Sequence, residues 1–274
     1  MRIKRFRYNW LAQRKAFYTL IIFFFSFGAS AETAEKIPSS TQMIDQAISL
    51  ISEGNFIQAV VFLDPVISAY EQKYANSSKR VYNSRDMTES LYYLMLEVVL
   101  KTSKNSDSTS SVTDCGKLKI EIDINGFGTS CSALVINSEW GNALFYKGSA
   151  LISLNKFTEA RVALAKAVEL SPMNSTYLAE YAFSYIGNQE YEKGLEIARQ
   201  AEDASEFSPD DLKIAEKTRA KRHMGYAFAE LNRLDEAEAI YKECLKLDKD
   251  DKISKNELEY IKQQRQKQQA AKSN

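Results

Sequence analysis

Glycine and proline are scarce, 10 and 4 among 274 residues, where average usage would give about 19 and about 14. Turn-rich β architecture needs both, so the shortage excludes a sandwich or barrel of many short strands and favours long helices. Histidine is scarcer still. His223 is the only one, so this chain alone cannot assemble a His-containing catalytic triad, a multi-His zinc site or a His relay, and His223 reads as a helix-face residue. No glycine loop for phosphate is present: Gly126-Phe127-Gly128 lacks a strand-to-helix setting. Asp248, Asp250 and Glu259 have the spacing of calcium-loop positions one, three and twelve. Lys252 and Ile253, however, stand where a ligand and the turn glycine belong. The expectation is a chain with no metal, no cofactor and no chemistry of its own.

Net charge is also absent, with 36 basic residues against 36 acidic ones, but the charges are segregated. Residues 1–31 hold Arg2, Lys4, Arg5, Arg7, Arg14 and Lys15 and no acid, so the remainder carries a net charge of −6. An acidic remainder offers no electrostatic footprint for nucleic acid. After Lys15 comes an apolar run, residues 16–28 (AFYTLIIFFFSFG), followed by Ala29-Ser30-Ala31 and Glu32. A basic start, a short apolar centre and small residues at the cut form the pattern of a secretory signal peptide, with cleavage expected after Ala31. The run is short against the ~20 residues a membrane span needs, so a membrane is expected as a partner only if this segment is retained as an anchor. The expected location is the periplasm or the secreted fraction.

Export bears on the three cysteines, because disulfides persist in oxidising compartments. Cys115 and Cys131 bracket a short segment, and closing such a loop would stabilise by about 3 kcal/mol on the chain-entropy model. Cys244 occupies a helical position that wants a small apolar residue and reads as a buried thiol.

The strongest pattern is a repeat. Leu144, Gly148, Leu151, Phe157, Ala160, Leu164 and Ala167 recur at i+34 as Leu178, Ala182, Tyr185, Tyr191, Gly194, Ala198 and Ala201. A further copy, at i+43 from the second, carries Gly225, Phe228, Leu234, Ala237, Tyr241 and Cys244. A weaker early copy carries Met43, Ala47, Leu50, Phe56, Ala59, Leu63 and Val66. The extra nine residues fall near Glu206 to Asp211, where Ser208 is expected to cap a lengthened helix with Pro209 in its first position. A helix hairpin accounts for the period: small residues mark the close approach of two helices, and the larger ones fill seams to the next hairpin, so several must stack.

In its spacing, its small-small contact, Phe157 or Tyr191 after the turn and Pro172 at the end, the pattern resembles the tetratricopeptide repeat family. The resemblance covers residues 40–73, 141–174, 175–208 and 218–251. It implies an all-α fold, a solenoid of helical hairpins. The family's aromatic at the fourth position is replaced by Leu144, Leu178 and Lys221.

Between the first copy and the second, residues 89–101 (ESLYYLMLEVVLK) read as an apolar helix, expected as the first helix of a divergent unit within region 32–102. Residues 103–138 form a loop and insert, in which Leu118, Ile120, Ile122 and Ile124 alternate with polar residues as in a strand. Asn125-Gly126 signals a two-residue hairpin turn, which would set Cys131 opposite Ile120, in conflict with a Cys115–Cys131 bridge. Residues 252–274 read as a polar capping helix with a basic tail.

By the family's register the first helix of each hairpin lines a concave surface. This surface is expected to include Asn142, Phe145, Ser149 and Ile152, then Phe183 and Ile186, then Arg219, Arg222 and Tyr226. Aromatic side chains with an arginine pair at one end suit a protein or peptide partner with an acidic flank. Two other readings remain open: an assembly factor anchored at the inner membrane, and a ligand or enzymatic site built by residues 107–137.

Overall fold

A computed structural model describes residues 39–104, 121–122, 128–129 and 133–272. In chain order the elements are α1 (Ser40–Ser52), α2 (Phe56–Tyr74), β1 (Arg80–Ser84), α3 (Met87–Lys104), β2 (Glu121–Ile122), β3 (Gly128–Thr129) and β4 (Ala133–Asn137). There follow α4 (Glu139–Ser153), α5 (Phe157–Leu170), α6 (Ser175–Gly187), α7 (Tyr191–Ala204), α8 (Asp210–Glu230), α9 (Leu234–Leu247) and α10 (Lys252–Lys272). The apolar run 16–28, the cut after Ala31, Cys115, Cys131 and the Asn125-Gly126 turn lie outside the described residues.

Among the described residues four helical hairpins, α1–α2, α4–α5, α6–α7 and α8–α9, stack in a row, each second helix packing on the first helix of the next, with α10 closing the row against α9. The hairpin turns share one geometry. Gly54, Asn155, Gln189 and Asn232 have φ of 80°, 59°, 66° and 60°. The next amide in each case reaches five residues back, as in Lys156 N–H to Leu151 O at 2.9 Å and Glu190 N–H to Tyr185 O at 3.0 Å. This is the left-handed helix cap that glycine and asparagine adopt readily. Gln189 is the one residue among the four with a longer side chain, so Gln189→Gly is expected to raise stability by about 1 kcal/mol, since left-handed backbone costs an L-residue about that much. Urea unfolding checks this, and a loss of stability would contradict it.

Within a hairpin the close approach is real. A Cβ on Gly148 would lie 2.4 Å from Leu164 Cγ, and one on Gly194 would lie 2.4 Å from Ile186 Cγ1. Between hairpins the seams are apolar. Trp140 of α4 stacks on Tyr70 and Tyr74 of α2, both at 5.9 Å between centroids. One core joins the first two hairpins, and a second joins the last two with Ile261 of α10. Cys244 is fully buried and unpaired, and burial pushes its thiol up to about 11.

The chain between the first two hairpins differs from expectation. Helix α2 packs directly on α4, and the segment expected as a first helix, now α3, packs instead on strands β1, β3 and β4. The strands form one sheet of order β1-β4-β3-β2, with β1 parallel to β4 and the other pairs antiparallel. Tyr82 of β1 and Tyr93 of α3 stack at 4.9 Å in a small separate core with Leu94, Ala133 and Val135. An apolar helix takes whichever apolar face is nearest in space, and α2 already fills the seam against α4. Strand β2 lies inside the expected strand, but Glu121 faces Thr129 and Ile122 faces Gly128. A two-residue turn at 125–126 would put Ile122 opposite Thr129, so the pairing of the described residues is offset by one from that register.

The long α8 begins at Asp210 with Pro209 as its N-cap residue, and no side-chain cap is made. Ser208 Oγ donates instead to Glu216 Oε2, which corrects the expected capping role.

Candidate functional site

Successive first helices touch one another, α1 with α4, α4 with α6, α6 with α8 and α8 with α10, whereas no comparable contact joins the second helices among the described residues. The row therefore curves with its first helices inside. Because they recur in register, the same helical positions line the inner face. Tyr146, Glu180, His223 and Glu257 form one column, each at the offset from the last that the repeat dictates. Ser149, Phe183, Tyr226 and Tyr260 form the next, all of them half-buried.

The residues expected at the groove divide into two sets. Phe183, Arg219, Arg222 and Tyr226 come together on α6 and α8: Phe183 stands 6.4 Å from Tyr226, ring centre to ring centre. Asn142 and Phe145 serve the seam between hairpins as well, with Tyr177 Oη donating to Asn142 Oδ1 at 2.6 Å and the Tyr177 ring stacked on Phe145 at 5.2 Å. Ser149 is half-buried and Ile152 packs on the Leu151, Ala160 and Leu164 cluster. Ile186 is 1% exposed and belongs to the hairpin core, which corrects its place at the surface. The bare backbone of Gly194 lets Ile186 insert between α6 and α7.

Neither arginine is an open cation. Arg219 Nη1 lies 3.2 Å from Glu180 Oε1, and Arg222 Nη1 lies 3.2 Å from Asp251 Oδ1. Asp251 is tied further by Ile253 N–H at 3.1 Å and by Ser254 Oγ at 2.5 Å. Burial pushes the Glu180 carboxyl above its usual range, against the pull of Arg219. The arginine pair therefore meets carboxylates from within the chain, an arrangement the sequence reading did not contain. The signal was available: Glu180 follows Tyr146 and precedes His223 at the same offsets that relate Phe183 to Ser149 and Tyr226, so the register of the repeat places it in the groove.

His223 stacks on Phe183 at 4.9 Å, its Nε2 buried without a hydrogen-bond partner. Burial, with the positive charges of Arg219 and Arg222, holds its imidazole down to about 3. The ring is neutral in the fold, while the unfolded chain takes up a proton below the ordinary value of 6.5. Stability is expected to fall as pH drops from about 6.5 towards 3, by up to about 1.4 kcal/mol per pH unit from this group. Urea unfolding of His223→Gln, compared with the parent across that window, should show the smaller slope; equal slopes would contradict the assignment.

A second hollow, of about 260 Å³, opens between α3 and the turn at 205–207, lined by Thr88, Glu89, Tyr92, Met173, Glu206, Phe207 and Ser208. Among the described residues no group of three or more His, Cys, Asp or Glu could hold a metal ion. Among the same residues no helix is long and apolar enough to cross a membrane.

Fold and groove together define a curved array of helical hairpins with an inner face of aromatic and internally paired charged residues. Residues 142–174 and 223–251 match the tetratricopeptide repeat model, and the chain carries tetratricopeptide repeats. Among solved structures it is similar to the second tetratricopeptide domain of human RPAP3 in complex with the HSP70 peptide SGPTIEEVD. That match has 23% identity and a TM-score of 0.36, covering 42% of this chain and 89% of that one. The Sgt2 domain from Aspergillus fumigatus matches at 20% identity and a TM-score of 0.41, covering 47% and 82%. TTC0263, a tetratricopeptide protein of Thermus thermophilus, matches at 13% identity and a TM-score of 0.38, covering 81% and 98%.

Proposed function

We propose that the protein is an exported scaffold or adaptor that binds another protein, or a peptide segment of one, along the inner face of its helical array, and that it performs no catalysis. The observation that carries the reading is the column of half-buried rings on three successive first helices, Phe183, Tyr226 and Tyr260. Aromatic side chains supply much of the anchor energy at interfaces, since each buries a large area with few rotatable bonds. Export rests on residues 1–31, with their basic start, apolar centre and Ala29-Ser30-Ala31.

Two measurements on the protein from its native host test the halves of this reading separately. Intact mass of the isolated chain should correspond to a start at Glu32; a mass that includes residues 1–31 would favour the membrane-anchored assembly factor. Under non-reducing conditions the same spectrum should be two hydrogens light if Cys115 and Cys131 are joined. Binding should survive deletion of residues 107–132. Loss of binding on that deletion, with helicity intact, would move the site to the insert.

A further inference from the structure

Helix α3 is apolar on two faces, and only one of them is covered. Its inner face packs on the sheet, where Tyr93 and Leu94 are fully buried with Tyr82 and Val135. On the outer face Met87, Leu91 and Met95 leave 53, 43 and 54% of their surface open. They follow one another at intervals of four residues, so they form a single ridge along the helix. Beside the ridge Tyr92 stands 5.2 Å from Phe207, ring centre to ring centre, and both rings line the hollow between α3 and the turn at 205–207. The two carboxylates of that hollow are met within the chain, Glu89 by Arg85 and Glu206 by Lys213 and Lys217. What the hollow and the ridge offer is therefore apolar area. A helix with apolar side chains on both faces belongs between two surfaces, and contiguous exposed apolar area marks an interaction site.

The order of residues along the ridge indicates what covers it. Methionine, leucine and methionine read the same in both directions about Leu91. A two-fold axis at Leu91 would lay the α3 of a second copy antiparallel on the first, each Met87 against the other Met95 and the two Leu91 side chains against each other. That self-complementarity is what an isologous interface demands. The area also suffices: with Tyr92 and Phe207, five large side chains from each copy would bury about 1,000 Å² in all, the least a specific interface needs, before any polar rim is counted. We propose that the chain forms a two-fold dimer through the outer face of α3, with Leu91 at the axis and Met87 facing Met95 of the other copy. The proposal goes beyond the reading of the inner face and does not depend on it. Such a dimer carries two inner faces, so a partner with two recognised segments is held more tightly by linkage alone.

Sedimentation of the chain purified from its native host, at concentrations from about 1 to 100 μM, tests this, because an interface of about this size dissociates in the micromolar range. The weight-average mass should rise from that of one chain to that of two. Leu91→Glu sets two like charges face to face at the axis and should weaken the dimer about tenfold or more, whereas Val162→Glu on α5 should leave it unchanged. Leu91 is half exposed, so helicity of the variant serves as the folding control. Mild oxidation of Leu91→Cys and Met87→Cys chains tests the register. Position 91 should join to position 91 of the other copy, while position 87 should join only when Met87→Cys and Met95→Cys chains are mixed. A single-chain mass at every concentration, a dimer indifferent to Leu91→Glu, or position 87 joined to itself would overturn the proposal and leave the reading of the inner face standing. Resistance of Met87 and Met95 to peroxide in the single chain would show the ridge covered by the chain's own residues, which would overturn the proposal too.

Discussion

Arg85→Met is expected to cost about 3–5 kcal/mol of stability, the range for removing one partner of a buried ion pair. Arg85 follows β1, and its guanidinium reaches Glu216 Oε1 on α8 at 2.9 Å and Glu89 Oε2 on α3 at 3.2 Å. Both carboxylates are buried and otherwise occupied. Glu216 accepts from Thr176 Oγ1 at 2.9 Å and from Ser208, while Glu89 accepts from Tyr93 Oη at 2.7 Å and from Arg85 N–H at 2.7 Å. Methionine keeps the length of the side chain and removes the charge, leaving two buried carboxylates with no counter-ion among the described residues. Burial pushes down on the Arg85 charge, yet the two carboxylates raise its pKa above the usual value, as a guanidinium held by its partners should show. The double variant Arg85→Met with Glu216→Gln should cost clearly less than the sum of the two singles, because one uncompensated charge goes with the other. Urea unfolding of the four chains measures the coupling. Additive costs, or a single cost under about 1 kcal/mol, would show that the sheet and the fourth hairpin are held together by something else.

Combining Phe183→Ala with Tyr226→Ala is expected to weaken a bound partner by about 100-fold or more, since anchor residues at interface centres typically cost about 2 kcal/mol or more each. Both rings are half-buried on the inner face, so truncation removes contact area as well as a stacking partner for His223. Val162 on α5, 73% exposed on a second helix, is the matched control, and Val162→Ala should leave affinity unchanged. Unchanged binding in the double variant, with helicity intact, would place the partner on another face.

The hairpins were legible in the sequence because the cause of each is local. Gly148 and Gly194 recur where two helices must approach, and they are in fact where a Cβ would collide. The repeat register also carried more of the site than composition alone suggests, since the columns through Tyr146 and Phe183 name most of the inner face. What the sequence hid is long-range. Arg85 and Glu216 are 131 residues apart, with no periodicity linking them. Strand β1 is five residues long, and its Asn83, fully buried, accepts from Gly141 N–H at 2.8 Å and donates to Asn137 O at 2.9 Å. Such a strand exists because the start of α4 and strand β4 offer it partners, and nothing within the five residues announces that. The fate of the arginine charges was hidden for the same reason, because Glu180 reaches them from α6 and Asp251 from the turn just before α10.

The central claim is that the inner face is the working surface, and site-specific photo-crosslinking in the native host tests it most directly. A benzophenone amino acid replaces Phe183 in one chain and Val162 in another, and crosslinked products are separated and identified by mass spectrometry. The account predicts one discrete partner joined at position 183, absent at position 162 and diminished when Tyr226→Ala is added. A partner joined at 162 and absent at 183 would contradict it.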